Sequence, residues 1–192
     1  MTRMERVITQ ALVETLGPDG VREVLMFAPQ IGSVSPSVSL LYSSRVWESL
    51  EHVYGIQPGR GLALQVGRQC FKYGLREFGS DLGLADLDFR LLPFPAKVKK
   101  GGEALASWIH AHSACGIRFE PTGKRLFCLI RNCPICDGRE SDSPCCYPAI
   151  GFFQEALYWA SGGRSFRVVE EGCRAGGESE CKISLDLDPI PL

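Results

Sequence analysis

The stretch Ile117-Arg-Phe-Glu-Pro-Thr-Gly-Lys-Arg-Leu-Phe-Cys-Leu-Ile-Arg131 decides the fold. Ile117–Glu120 and Arg125–Arg131 carry the apolar and aromatic side chains of strands, and Pro121-Thr-Gly-Lys124 between them has the composition of a hairpin turn. Downstream, Tyr147–Ala160 repeats at helical spacing, with Ile150, Phe153, Leu157 and Ala160 on the inward side. Two more strands follow, Ser165–Glu170 and Lys182–Leu187. The last alternates Ile183, Leu185 and Leu187 against Lys182, Ser184 and Asp186, the period-2 pattern of a half-buried strand.

Upstream of the hairpin the chain reads as helices. Arg6–Leu16 and Asp19–Phe27 are separated by Gly17-Pro18, a helix stop beside a helix start. Pro29–Ser39 has the Ser, Pro and Gly content of a connector. Ser44–Tyr54 and Pro58–Phe78 resume the helical period. The second contains Gly61, Gly67 and Gly74, each unfavourable by roughly 1 kcal/mol relative to alanine in a helix interior. Either the helix breaks near one of them, or another backbone or a ligand comes close there. Gly79–Lys100 reads as an irregular crossover, and Glu103–Cys115 as an amphipathic helix grouping Leu105, Trp108, Ile109 and His112. Segregated helices and hairpins imply an α+β fold, a helical N-terminal part packed on a mainly antiparallel sheet. The expected division is a helical extension over residues 1–40 and a ligand-binding domain over 41–188.

The chain has 192 residues and a net charge of −1, without the basic face that nucleic acid requires. It has no long apolar run to span a bilayer and no export signal at its start, so a cytoplasmic protein is expected. Nine cysteines are many for such a chain. Their odd number, without an export signal, points to metal rather than to disulfides. Cys133-Pro-Ile-Cys136, Cys145-Cys146, and the pair Cys173 and Cys181 crowd the last third. Soft thiolates select zinc or an iron–sulfur cluster over magnesium or calcium. Cys70, Cys115 and Cys128, each alone in an apolar pattern, read as ordinary core thiols.

Cys146-Tyr-Pro-Ala-Ile-Gly151, Val168-Val-Glu-Glu-Gly-Cys173 and Arg174-Ala-Gly-Gly-Glu-Ser-Glu-Cys181 together resemble the 4-vinyl-reductase (hydrocarbon-binding) domain family, over about Leu126–Leu187. Leu16-Gly-Pro-Asp-Gly-Val21 leans toward its bacteriochlorophyll-pathway branch. The resemblance implies a fold related to vesicle-tethering subunits and to the NO-signalling ligand-binding fold, a homodimer, and a Zn2+ site within residues 126–187. It carries three metal ligands onto Cys146, Cys173 and Cys181. The family's acidic ligand finds no counterpart, so the fourth is assigned to Cys136, with Cys133 and Cys145 as alternatives.

Reducing a vinyl group needs a hydride donor, and no strand–GxGxxG–helix unit is present. A binding domain is therefore the expected function, with a 4-vinyl reductase-type enzyme and a structural zinc-binding interaction subunit as alternatives. The expected ligand is a small apolar molecule, either an aromatic hydrocarbon or a tetrapyrrole precursor of bacteriochlorophyll. It would lie between the Gly-rich helix (Gly67, Gly74) and the helix of Trp108 and His112. The protein would act as sensor, carrier or pathway accessory, with His112 or His110 available to a tetrapyrrole metal.

Overall fold

The computed structural model describes residues 1–31 and 43–191. The proposed boundary at residue 40 and most of the Pro29–Ser39 connector fall outside them. Six α-helices and four strands follow in the order α1 (Arg3–Ile31), α2 (Ser44–Tyr54), α3 (Ile56–Phe78), α4 (Leu87–Arg90), α5 (Phe94–His112), β1 (Gly116–Thr122), β2 (Arg125–Arg131), α6 (Tyr147–Ala160), β3 (Phe166–Gly172) and β4 (Cys181–Pro189). The strands form one antiparallel sheet in the order β1-β2-β4-β3. The α+β architecture is as the sequence implied. Among the described residues no helix is long and apolar enough to cross a membrane.

Helix α1 is bent where Gly17 takes a φ of 71°, so the two periodic segments of the sequence form one kinked element. Its inward face, with Ala11, Leu12, Val24 and Ala28, packs on Val46 and Leu50 of α2 and on Ala63 and Val66 of α3. A second core lies over the sheet, where Ile150, Phe153 and Leu157 of α6 meet Cys128, Ile130, Ile183 and Leu185. Helix α3 bridges the two cores. A Cβ at Gly67 would run into the carbonyl of Pro148, and one at Gly151 into the carbonyl of Leu64. The two glycines let α3 and α6 cross backbone to backbone, so Gly67 answers to packing.

Helix α5 begins nine residues before the expected Glu103. Pro93 caps it, with a proline in its first turn, where a missing N–H does no harm. Gly101 and Gly102 conceal this start in the sequence. Gly102 faces the ring of Phe119, 3.2 Å from where a Cβ would stand.

Candidate functional site

Two features stand side by side, an apolar cavity and a cluster of thiols. The cavity, of about 350 Å³, lies between the helices and the sheet. Helix α3 contributes Phe71, Gly74 and Phe78, and α5 contributes Leu105, Trp108 and Ile109. Helix α6 adds Phe152, Phe153 and Trp159, while Ile117, Leu126 and Leu185 form the sheet side. Lys97 is the single charged residue of the lining among the described residues. The aromatic rings brace one another: Phe78 lies 4.9 Å from Trp108, and Phe71 5.9 Å from Trp159.

Helix α5 has 19 residues and buries none of them fully. Phe94, Val98 and Leu105 pack against the edge of the sheet core, and the apolar face from Val98 to Ile109 also lines the cavity. Cys70 also lines the cavity, and burial pushes its thiol up to about 12.

The residues expected to touch ligand divide. Gly67, Gly74 and Trp108 line the cavity, and Gly74 faces open space, with nothing within 4 Å of an added Cβ. His112 is exposed and absent from the lining. Its Nδ1 lies 2.7 Å from the Trp108 carbonyl, and its ring stacks on Trp108 at 4.5 Å. A position four residues after Trp108 follows the helix face only to its fraying C-terminus, where His112 is the last helical residue.

The thiols of Cys133, Cys136, Cys145, Cys146, Cys173 and Cys181 are all free and all buried. They come from the end of β2, the loop before α6, and the two sides of the β3–β4 connection. Asn132, at φ 50°, turns the chain out of β2 so that Cys133 enters the cluster. A single 3₁₀ turn, Arg174–Gly176, closed by Gly177 at φ 94°, brings Cys173 to within 4.0 Å of Cys181. The Ser141 amide bonds the Ala175 carbonyl at 2.9 Å, tying the two cysteine loops together.

Two four-ligand groups result. One is Cys133, Cys136, Cys146 and Cys181; the other is Cys146, Glu170, Cys173 and Cys181; the ligand atoms of each lie within 4.8 Å of one another. The four cysteines expected to hold metal, Cys136, Cys146, Cys173 and Cys181, are thus brought together but split across both groups. Hydrogen bonds from neighbouring thiols, that of Cys136 foremost, pull Cys133 and Cys173 below the ordinary thiol range.

Glu170 is the residue that sequence reasoning missed. It is 4% exposed. One carboxylate oxygen accepts the Cys146 amide at 2.8 Å, and the other, Oε1, is buried without a hydrogen-bond partner. Burial pushes its carboxyl up to about 8. The signal was present in the alternation of β3, where Phe166, Val168 and Glu170 all point inward. An acid at an inward strand position, three residues before a clustered cysteine, is a ligand pattern.

No family model matches the chain, and no curated protein matches it. Solved structures do. An H-NOX protein from S. oneidensis in its Fe(II)NO ligation state aligns with a TM-score of 0.62 at 12% identity, over 98% of each chain. A structure described by the modulation of heme redox potential through porphyrin distortion gives 0.56 at 16% identity, over 98% of this chain and 95% of that one. The phenol-responsive sensory domain of the transcription activator PoxR, with phenol, gives 0.55 at 16% identity, over 86% and 89%.

At such identities the likeness establishes the fold alone, the H-NOX-type α+β fold associated with NO-signalling ligand binding. It corrects three expectations. The 4-vinyl-reductase resemblance is overturned, because no family model supports it and the structural neighbours are H-NOX domains and a phenol sensor domain. A place in bacteriochlorophyll biosynthesis falls with it. The Zn2+ assignment is overturned as well, since those neighbours are described with Fe(II)NO, heme and phenol. The short Cys and Gly motifs misled because any turn joining two ligating strand ends needs such residues. The cluster is a candidate centre for a metal not yet assigned.

Heme, the group this fold suggests, does not fit the cavity. Among the described residues no histidine or tyrosine lines it, and Lys97 alone of them would face two carboxylates. His110 and His112 are exposed, and His52 packs against Phe27 in the helical layer. Of the lining thiols, burial pushes Cys70 up to about 12 and Cys115 up to about 11, away from the thiolate that iron takes, and Cys133 is engaged with the thiols of the cluster, 3.7 Å from Cys146. The same lining argues against the expected tetrapyrrole.

Proposed function

We propose that this chain is a ligand-binding domain of the sensor type, taking one small and wholly apolar molecule of one or two rings beneath α5. The observation that carries the reading is the apolar face of α5, which the sheet core covers only in part and which lines an apolar cavity with Val98, Leu105, Trp108 and Ile109. An apolar cavity of about 150 Å³ is enough for benzene, and this one is about 350 Å³. That volume is at the low end of ligand pockets. A ten-carbon ligand reaches a Kd of about 1 μM at roughly 0.8 kcal/mol per heavy atom, within the range open to small ligands. The lining favours binding over catalysis: among its described residues it is almost wholly apolar, with Lys97 and the thiols of Cys70, Cys115 and Cys133 as its few polar side chains besides the tryptophans.

The cysteine cluster, in this reading, binds a thiophilic metal that pins the ends of β2, β3 and β4 around Cys146 and the start of α6. Cys133 belongs to both features, since it also lines the cavity, so ligand and metal share a wall.

The test is native mass spectrometry of freshly purified protein, followed by a tryptophan-fluorescence panel of benzene, naphthalene, phenols and fatty acids. Saturable one-to-one binding of a one- or two-ring compound is expected. Tight binding confined to fatty acids would contradict the ring-sized cavity, and no binding at all would contradict the sensor reading.

A further inference from the structure

We propose that the cysteine cluster holds two divalent, thiophilic metal ions, bridged by the thiolates of Cys146 and Cys181. This rests on reading the cluster as a metal centre, and adds to it the number of ions and the bridge.

Both four-ligand groups contain Cys146 and Cys181. Tetrahedral thiolate coordination with metal–sulfur bonds of about 2.3 Å sets neighbouring sulfurs about 3.8 Å apart. The shared edge measures 3.7 Å. Around it stand Cys133 at 3.7 Å from Cys146 and Cys136 at 3.3 Å from Cys181 on one side. On the other, Cys173 lies 3.9 Å from Cys146 and 4.0 Å from Cys181. These are two tetrahedra joined along one edge. The first has four sulfurs, and the second has three and a carboxylate oxygen of Glu170, a residue whose Oε1 is buried without a hydrogen-bond partner. Cys145 contacts Cys173 at 3.7 Å and belongs to neither group.

A single ion would leave part of this set unexplained. Placed in the first group, it strands Cys173 and the buried Glu170 oxygen; placed in the second, it strands Cys133 and Cys136. Burying ionisable groups without partners is unfavourable. Two divalent ions against five thiolates and one carboxylate leave a modest negative charge. A buried cation and a backbone donor stand beside it. The Arg139 side chain is 5% exposed and within electrostatic reach of Cys145, with Nη1 free of hydrogen bonds. The Arg174 amide donates to the Cys181 sulfur at 3.5 Å. An iron–sulfur cluster, by contrast, needs room for inorganic sulfide between its irons, and thiols this close together leave none.

The experiment loads the whole reduced 192-residue chain with Cd(II) and counts ions by native mass spectrometry. Wild type takes up two. Cys133→Ser and Cys136→Ser each keep one, and so does Cys173→Ser, which lies on the opposite side. Cys145→Ser keeps two. The bridge is read on folded wild type alone, so the result does not depend on variants that fail to fold. With Co(II) in place of Cd(II), the paramagnetic resonance signal per ion falls as the second equivalent binds, because shared thiolates couple the two spins. Saturation at one Cd(II), or a Co(II) signal growing in proportion to loading, overturns the bridge and leaves a mononuclear site. Uptake of none overturns the metal centre itself.

Discussion

Gly74→Leu separates a cavity built for ligand from one that is merely loose packing. The four added carbons enter open space, because nothing stands within 4 Å of the Cβ position and Gly74 lines the cavity. Replacing a helix-interior glycine contributes up to about 0.8–1 kcal/mol in helix propensity. Burying a leucine side chain contributes about 1.5–3 kcal/mol when complete, and less here because the position is half-buried. The expected outcome is a protein stabilised by about 1–3 kcal/mol. At roughly 2–4 °C per kcal/mol for a chain of this size, Tm rises by about 2–12 °C. The same leucine occupies the ligand's space, so affinity for naphthalene falls by at least about tenfold, or 1.4 kcal/mol. Differential scanning fluorimetry and a fluorescence titration measure both quantities on one sample. Higher stability with unchanged affinity would refute the placement of the ligand, and a lower Tm would refute the open space beside Gly74.

Gly67→Ala and Gly151→Ala go the other way. Each sets a methyl against a backbone carbonyl across the α3–α6 crossing, and urea unfolding should record a loss of about 1–3 kcal/mol or more. Cys173→Ser should lower both metal content and Tm, since metal-binding energy becomes folding energy, whereas Cys70→Ser should retain all of its metal by elemental analysis. The folded chain holds the Cys70 proton up to about pH 12, against a reference thiol at 9.0. Between these values the unfolded chain binds fewer protons than the folded one, so stability falls as pH rises through that window. Cys70→Ala should remove that part of the alkaline slope in pH-dependent denaturation. Bound naphthalene should further slow alkylation of Cys70 in the wild type.

Much of the fold was legible because local periodicity and packing agree. Tyr147–Ala160 matches α6 at both ends, and the alternation of Lys182–Leu187 lies within β4. The start of α5 was hidden because Gly101-Gly102 lowers helix propensity while Pro93, Phe94 and Pro95 resemble a loop, although proline suits a first turn. The thiol clustering was visible from spacing, but not its division into two groups. That division depends on which loops the sheet order β2-β4-β3 places side by side. Glu170 could be read only once its strand had a buried face. Of the cavity, the glycines of α3 and Trp108 of α5 pointed to two walls, and both stand in its lining; the walls from α6 and the sheet had no signal, because those elements meet only in the folded chain.

The most direct test of the central claim, that the cavity serves an apolar molecule and not heme, is a competition titration. Purified protein is titrated with hemin in the absence and presence of saturating naphthalene, following heme absorbance and the fluorescence of Trp108 and Trp159. Naphthalene is expected to bind one-to-one, and hemin to show no saturable, ligated spectrum under either condition. A sharp heme spectrum at one equivalent, displaced by naphthalene or indifferent to it, would contradict that claim.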